Sequence, residues 1–131
     1  ELVYEPGFDK AIRVFADQGK IRQAMINLID NSLKYGKKEG QTTVSVFDMD
    51  ENVLIEITDN GIGIDQKDLP RIFERFYRTD KSRSRDMGGT GLGLAIVKHT
   101  IEANNQSINV RSNTDLGTTF AFTLKKAVDK N

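Results

Sequence analysis

The sequence predicts an α+β fold in which one mixed β-sheet carries its helices on one side. Three observations lead to this prediction. Two pairs of β-rich segments are each joined by a short polar turn, two other stretches repeat apolar residues at helical spacing, and one of those stretches lies between the two pairs. The resulting order of hairpin, helix and hairpin is typical of α+β domains.

The first elements are a strand and an amphipathic helix. The short mixed run 11–16 is typical of a strand, and Asp17 and Gly19 mark its end. From about residue 20 to residue 35, apolar side chains recur at i, i+3, i+4, i+7, i+8 and i+12, which predicts a helix. These side chains are Ile21, Ala24, Met25, Leu28, Ile29 and Leu33.

Two hairpins flank a second predicted helix. Segments 42–49 and 52–59 are β-rich and two residues apart, as in a tight hairpin. Residues 91–103 have helical spacing, and segments 106–113 and 118–125 form the second pair. Three side chains share one face of the last strand because strand residues alternate between faces: Phe120, Phe122 and Leu124.

Composition narrows the class of protein. The 131 residues, 37% of them hydrophobic, are enough for one domain with a core. Nineteen basic residues balance nineteen acidic ones, so net charge does not favour nucleic acid or an anionic membrane. The chain has no cysteine for disulfides or thiolate metal sites, and no apolar run near the roughly 20 residues that span a bilayer. Its abrupt start without a signal-peptide pattern predicts a fragment of a longer protein.

Two polar motifs indicate binding chemistry. Asn27, Asn31 and Lys34 form a narrow stripe on the first helix, and amide oxygens beside a lysine suit Mg²⁺ with phosphate. Asp59 ends a predicted strand, and the glycines at 61 and 63 allow a turn that leaves its carboxylate at the sheet rim, where it could accept from an exocyclic amine. Taken separately, a solvated helix face and an ordinary Asn-Gly turn are the commoner interpretations.

A basic segment and a glycine cluster follow. Segment 69–87 holds six basic and three acidic residues with interleaved aromatics, which predicts a short helix and a mobile polar loop that could close over a polyphosphate. The alternative is a solvated basic loop whose aromatics merely dock on the core, and we expect Phe73 and Phe76 to pack on the core in either case. Four glycines within 88–93 precede the second helix, and a helix start behind a loose backbone suits an anion such as phosphate, although glycines also cap helices.

In this order, these segments resemble the catalytic and ATP-binding domain of sensor histidine kinases, in the wider family that includes gyrase-type, mismatch-repair and chaperone ATPases. Five motifs carry the resemblance: 23–36 (N box), 59–64 (G1 box), 72–78 (F box), 88–95 (G2 box) and 117–120 (the last glycine motif). The resemblance implies that residues 1–131 are one domain of a longer kinase, with an ATP lid at about 69–92. The implied fold is a two-layer α/β sandwich of the Bergerat type, with a mixed five-stranded sheet and three main helices on one face.

The resemblance also implies ligands and residue roles. Asn31, with Asn27 beside it, would coordinate Mg²⁺ on the ATP phosphates, and Asp59 would accept from the adenine N6 amine. Lys34 would lie near the phosphates and Arg78 near the γ-phosphate, so Asn31, Lys34 and Arg78 are the expected catalytic residues. The other nucleotide-binding residues that the resemblance implies are Tyr35, Gly61, Gly63, Ile64, Phe76, Gly89, Thr90, Gly91, Leu92, Gly93, Leu94 and Thr119.

One position narrows the expected reaction. Family members that activate water or phosphorylate serine resemble one another in carrying a glutamate four residues before the metal-binding asparagine. In this sequence, Asn27 occupies the position of that glutamate. An amide cannot act as a general base at neutral pH, which favours transfer to a histidine. The sole histidine, His99, lies in the second helix without an acidic neighbour and is expected to be structural or at the surface.

The expected partners are therefore the dimerisation and phosphoacceptor domain of the same kinase and a response regulator, with no nucleic acid. We expect a monomeric fragment of a homodimeric parent, and a cytoplasmic domain whose parent can be anchored in the cell membrane. One departure from the family is the stretch 103–107, which stands where members often have a His-Gly-Gly turn.

Other nucleotide-binding motifs do not fit. A dinucleotide fold needs G-x-G-x-x-G directly after a strand, but these glycines follow a basic loop and Ile96 takes the sixth position from Gly91. The sequence also lacks a G-x-x-x-x-G-K-[ST] string, and a nucleic-acid module would need a broader positive face. The remaining alternative is a domain of the same fold that binds nucleotide, has lost catalysis and serves as a docking surface.

Overall fold

The computed structural model describes residues 2–6, 14–34, 40–75, 93–113 and 116–127, and these residues form an α+β domain. The predicted fold class is thereby confirmed. The elements are β1 (Leu2–Pro6), β2 (Val14–Phe15), α1 (Gln18–Lys34), β3 (Thr42–Met49), β4 (Asn52–Asp59), a 3-10 helix (Leu69–Arg71), α2 (Gly93–Ala103), β5 (Ile108–Asn113) and β6 (Gly117–Lys126).

The strands form one sheet in the order β1-β3-β4-β6, and both β2 and β5 pair with β6. β1 runs parallel to β3, and the other pairs are antiparallel. β6 has ten residues and β5 has six, so the end of β6 that β5 does not reach pairs with β2 instead. The predicted count of five strands is therefore wrong, since the described part of the chain has six.

Both predicted hairpins are present. β3 and β4 have the bounds that the sequence predicts, and their two-residue turn places Asp50 at φ 68°, with its N–H donating to Asp48 Oδ1 at 3.0 Å. In contrast, β1 was not predicted, because a five-residue segment ending in proline gives a weak strand signal. The strand predicted at 11–16 is seen only as β2, and residues 11–13 lie outside the described residues.

The core lies between one face of the sheet and the two α-helices. Every second residue of β4 and β6 is buried, as expected for strands with one covered face, and Phe120, Phe122 and Leu124 are 3% exposed or less. The other buried apolar residues are Ala24, Leu28, Val44, Val53, Ile55, Ile57, Ile72, Val97 and Ile101. The helical periodicity of the sequence thus identified most of the stripe of α1 that packs on the core, but Leu33, its last predicted member, is 52% exposed.

The helices differ from the prediction in number. Asp17 caps α1, because Lys20 N donates to Asp17 Oδ1 at 3.0 Å. Where a short helix was predicted after Leu69, the structure has a single 3-10 turn followed by further turns to Arg75. Two α-helices, rather than the three expected, occur in the described ranges.

The stretch that departs from the family closes α2 without glycine. Asn105 has φ 58°, its N–H donates to Glu102 O at 2.9 Å, and Gln106 N donates to Ile101 O at 3.2 Å. This pair of hydrogen bonds is the Schellman motif, which needs one residue in the left-handed region. Asn105 therefore takes the conformation that a glycine usually supplies.

We predict that Asn105→Val lowers the free energy of unfolding by about 1–2 kcal/mol, because a β-branched residue is strained at this φ, whereas Asn105→Gly leaves it unchanged or raises it slightly. Urea unfolding measures both. Asn109→Val is the matched control, since Asn109 is exposed on β5, where β-branched residues are favoured. Equal losses for the two valine variants would contradict the role of Asn105.

Candidate functional site

The last residue of β4, Asp59, is held by donors from three parts of the chain. Its Oδ2 accepts a hydrogen bond from Ser32 Oγ of α1 at 2.9 Å. Its Oδ1 accepts from Gly61 N in the following turn at 2.9 Å and from Thr118 N of β6 at 3.3 Å. The residue is 8% exposed. Its carboxylate is therefore buried and fixed in orientation.

Among the described residues, the hydrogen bonds of Asp59 leave one acceptor position without a donor. An ionised carboxylate only accepts, and its two oxygens offer about four lone-pair positions. The described donors Ser32, Gly61 and Thr118 use three of them. A ligand group with an N–H can fill the remaining position, whereas a carbonyl oxygen there would be repelled. The arrangement can therefore distinguish an amine from a carbonyl.

Buried hydroxyl groups extend from Asp59 on both sides. Thr42 Oγ1 donates to Ser32 Oγ at 3.4 Å on one side, and Thr118 Oγ1 lies 2.8 Å from Ser112 Oγ on the other. All four of these residues are 7% exposed or less. Sequence analysis missed them. Isolated Ser and Thr residues are common in all proteins and do not indicate a site by themselves. The position of Ser32 and Thr118 inside two of the motifs was the signal that could have pointed to them.

The glycine turn after Asp59 is tied to β5. Gly63 has φ 76°, a conformation that favours glycine, and both glycines of the turn are buried. The next residue, Ile64, packs on the core, and its N–H donates to Ser112 Oγ at 2.7 Å. Gln66 Nε2 donates to Ser112 O at 2.9 Å. The structure thus brings Gly61 to the Asp59 carboxylate and ties Ile64 to β5. That Gly61, Gly63 and Ile64 contact a nucleotide stays a prediction.

The start of β6 comes into direct contact with the end of β4. Gly117 has φ 128°, and a Cβ added there would lie 2.0 Å from the carbonyl oxygen of Asp59. Only glycine permits this approach. The contact sets the position of Thr118, whose N–H reaches the Asp59 carboxylate.

Thr119 does not join this site. Asp59 is opposite Thr118 in the strand register, and Thr58 is opposite Thr119. Thr119 Oγ1 lies 3.1 Å from Thr58 Oγ1, on the face of the sheet away from Asp59. We therefore correct the sequence assignment: Thr118 shares the face of Asp59, and a shift of one residue along a strand moves a side chain to the other face.

The predicted polar stripe lies on α1. Asn27 and Asn31 are half-buried and one turn apart, and Asn27 Oδ1 accepts from Gln23 Nε2 at 3.0 Å. An amide oxygen has two lone pairs, so Asn27 could also take a metal ligand position. Lys34 ends α1, and its side chain lies outside the description. Across the described ranges, no group of three or more His, Cys, Asp or Glu side chains could hold a metal ion.

The second helix begins at Gly93, beside open space. A Cβ added at Gly93 would meet nothing within 4 Å, so packing among the described residues does not explain the glycine. Leu94 is half-buried against the core, and His99 is exposed. Several predicted site residues lie outside the described residues: Tyr35, Phe76, Arg78, Gly89, Thr90, Gly91 and Leu92.

Only residues 69–75 of the predicted lid are described. In this part, Phe73 packs edge-on against Phe120, with ring centroids 6.1 Å apart and an interplanar angle of 77°. Lys98 Nζ lies 5.8 Å from the centroid of the Phe73 ring. The aromatic ring of Phe73 therefore docks on the core, which was the packing role expected of it.

Fold and site together define an ATPase-type domain. The model of the family described as histidine kinase-, DNA gyrase B- and HSP90-like ATPase matches residues 16–128, and the chain belongs to this family. Within the described ranges, none of the helices has the length and apolar character needed to cross a membrane.

Sensor histidine kinases are among the similar proteins. The sensor histidine kinase WalK of Bacillus subtilis is 46% identical over 118 residues, which are 88% of this chain but 19% of that kinase. Full-length ShkA in complex with AMPPNP has a TM-score of 0.83 at 27% identity, covering 98% of this chain and 26% of ShkA. Histidine kinase ThkA in complex with the response regulator TrrA has a TM-score of 0.77 at 26% identity, covering 97% and 34%.

We predict that Gly117→Ala lowers the free energy of unfolding by about 2 kcal/mol or more, because the new methyl group must displace the backbone of Asp59. Chemical denaturation measures the loss. Gly19→Ala is the control: its Cβ would meet only Asp17 Oδ1 at 3.5 Å, so stability should stay constant or rise slightly. A Gly117→Ala protein as stable as the Gly19→Ala protein would contradict the close contact.

Proposed function

We propose that this chain is the ATP-binding catalytic domain of a sensor histidine kinase in a two-component system. It would donate the γ-phosphoryl group of ATP to a histidine on a separate dimerisation domain, for relay to an aspartate of a response regulator. The observation that carries the proposal is the buried Asp59 carboxylate at the end of β4, which the described residues supply with three donors and leave with one acceptor position for a ligand. The family match and the sensor kinases among the similar proteins support it.

Adenine fits the acceptor position of Asp59. The exocyclic N6 amine of adenine can donate to the carboxylate, whereas guanine presents a carbonyl oxygen at the same ring position. A buried carboxylate left without its donor is costly, which gives such a contact its selectivity. Gly61 and Gly63, with no side chain in the turn, leave room for a flat base beside Asp59.

The phosphates would lie between α1 and the start of α2. Asn31 and Asn27 offer amide oxygens for Mg²⁺, a hard cation that keeps several water ligands and is shared with substrate phosphates. When bound, Mg²⁺ would neutralise charge on the phosphates. The open space at Gly93 and the N–H groups of the α2 N-terminus suit phosphate oxygens. From the sequence, Lys34, Arg78 and the glycines of 88–93 would contribute further contacts.

Asn27 favours transfer to histidine over hydrolysis. Phosphoryl transfer relies mainly on positioning and on stabilising charge, so a domain without a general base can still serve an acceptor that is itself nucleophilic. An imidazole is such an acceptor, since its neutral form carries a free lone pair. His99 is exposed on α2, and the described contacts show no group that would activate it as an acceptor.

The acceptor and the partners would therefore lie beyond this chain. We place the acceptor on a dimerisation domain of a homodimeric kinase and the next recipient on a response regulator, in line with the ThkA–TrrA complex. The domain would work in the cytoplasm, where ATP is supplied, and we assign its sheet and helices to the two-layer Bergerat-type sandwich.

We predict that Asp59→Asn raises the Kd for ATP by about ten- to a hundredfold. The new amide group can still accept from Gly61 N and Thr118 N, but its NH₂ faces either Ser32 or the adenine amine. Calorimetric titration with ATP and with a non-hydrolysable analogue measures the change. Glu56→Gln, an equivalent change on the other face of β4, should leave the Kd constant. Unchanged ATP binding by Asp59→Asn would remove Asp59 from base recognition.

We also predict that Asn31→Ala lowers Mg²⁺-dependent phosphoryl transfer by about a hundredfold or more in a chain joined to its dimerisation domain, because a metal ligand is lost. Transfer of radiolabelled phosphate to the acceptor histidine measures the rate. Asp30→Asn, at the adjacent exposed position of α1, is the control and should transfer normally. If the unaltered chain bound ATP but transferred nothing, the docking-domain alternative would replace the kinase.

A further inference from the structure

We propose that Thr42 and Ser32 form a buried hydroxyl relay that orients the Asp59 carboxylate, and that Ser32 is a positioning residue for selection of the base. This inference rests on the proposed nucleotide-binding function. It adds to that function a residue whose described hydrogen bond to the site is the one to Asp59.

The direction of each hydrogen bond in the relay follows from which of the groups can donate a proton. The Asp59 carboxylate can only accept, so the single O–H of Ser32 must donate to Oδ2, at 2.9 Å. Ser32 Oγ then uses a lone pair to accept from Thr42 Oγ1 at 3.4 Å. The hydroxyl protons of Thr42 and Ser32 therefore both point towards Asp59. The relay begins at Thr42, the first residue of β3, passes through Ser32 of α1 and ends at Asp59, the last residue of β4.

Burial makes this relay effective. Ser32 is 1% exposed and Thr42 is 3% exposed, so water does not compete for either hydroxyl in the folded protein. Among the described residues, every buried side-chain N or O atom has a hydrogen-bond partner. Removing the Ser32 hydroxyl would leave Thr42 without its acceptor and would free one oxygen of Asp59.

Ser32 is the side chain that fixes Oδ2. The two donors to Oδ1 are backbone amides, at Gly61 and Thr118, which remain whatever side chains stand there. Without Ser32, Oδ2 has no protein donor among its described contacts, and the carboxylate can rotate about its Cβ–Cγ bond. The open acceptor position would then no longer point in one direction.

An orienting role and a general structural role of Ser32 predict different effects of its removal. If Ser32 acts by orienting Asp59, its removal harms only ligands that donate to Asp59. If Ser32 merely supports the fold, its removal harms every nucleotide equally. A ligand without the exocyclic amine therefore distinguishes the two roles, in the manner of a double-mutant cycle in which one change is made in the ligand.

The experiment compares ATP with purine riboside triphosphate, which lacks the 6-amino group, each titrated by calorimetry with Mg²⁺ into the unaltered chain and into Ser32→Ala. We expect the Kd for ATP to rise about five- to tenfold and the Kd for the amine-free nucleotide to change less than twofold. An equal change for both nucleotides, tighter ATP binding or no change at all would overturn the relay. Failure of the unaltered chain to bind ATP would instead count against the proposed function.

Further variants keep the test decisive if Ser32→Ala does not fold. Ser32→Cys keeps the volume of the side chain but donates weakly, and Thr42→Val removes the first hydroxyl of the relay with little change of shape. Each should raise the Kd for ATP about two- to threefold, again without effect on the amine-free nucleotide. Equal losses for both nucleotides would overturn the relay here too.

Thr58→Val is the matched control. It removes a hydroxyl one residue from Asp59, on the opposite face of β4, where the Thr58 hydroxyl lies 3.1 Å from the Thr119 hydroxyl. Both Kd values should stay at those of the unaltered chain. A loss confined to ATP in this variant would show that any hydroxyl near the strand end has the effect, and would also overturn the proposal.

Discussion

The Asp59 carboxylate is the interaction on which the rest of the site depends. A buried carboxylate is stable only when donors replace the water it has lost, and here α1, the glycine turn and β6 each supply one. The same three hydrogen bonds therefore close the end of the sheet and define the position offered to a ligand. A shift of α1 or of β6 would disturb the fold and the binding position together.

α1 contributes both to the hydrophobic core and to the proposed nucleotide site. Ala24, Leu28 and Ser32 form a single row at intervals of four residues, and each is 1% exposed or less. Ala24 and Leu28 pack in the core, and the Ser32 hydroxyl at the end of the row donates to Asp59. The neighbouring stripe carries Asn27 and Asn31, so the turn of helix that orients the carboxylate also presents the metal-binding amides that we propose. In this proposal, base recognition and metal binding depend on the same helix.

Sequence patterns predicted those parts of the structure that repeat along the chain. The β-rich composition of two segments predicted β3 and β4 with their observed bounds, and helical spacing identified most of the buried face of α1. Features that depend on a single residue were harder to predict. Thr119 was chosen in place of Thr118 because the motif does not state which residue faces the helices, and the strand register decides it. The Ser and Thr network was missed because its members become neighbours only after folding.

The fold by itself does not determine the reaction, since one fold can support several activities. A water-activating enzyme and a phosphoryl donor could share this sheet, the Asp59 contacts and the helix start at Gly93, because those parts hold a nucleotide without acting on it. The difference lies in whether the site offers a base to the attacking group. Asn27 is half-buried, accepts from Gln23 and has no useful basicity, so it could not serve as the base that deprotonates a water molecule. The donor role that we propose therefore suits a nucleophile such as a neutral imidazole, which can attack without first losing a proton.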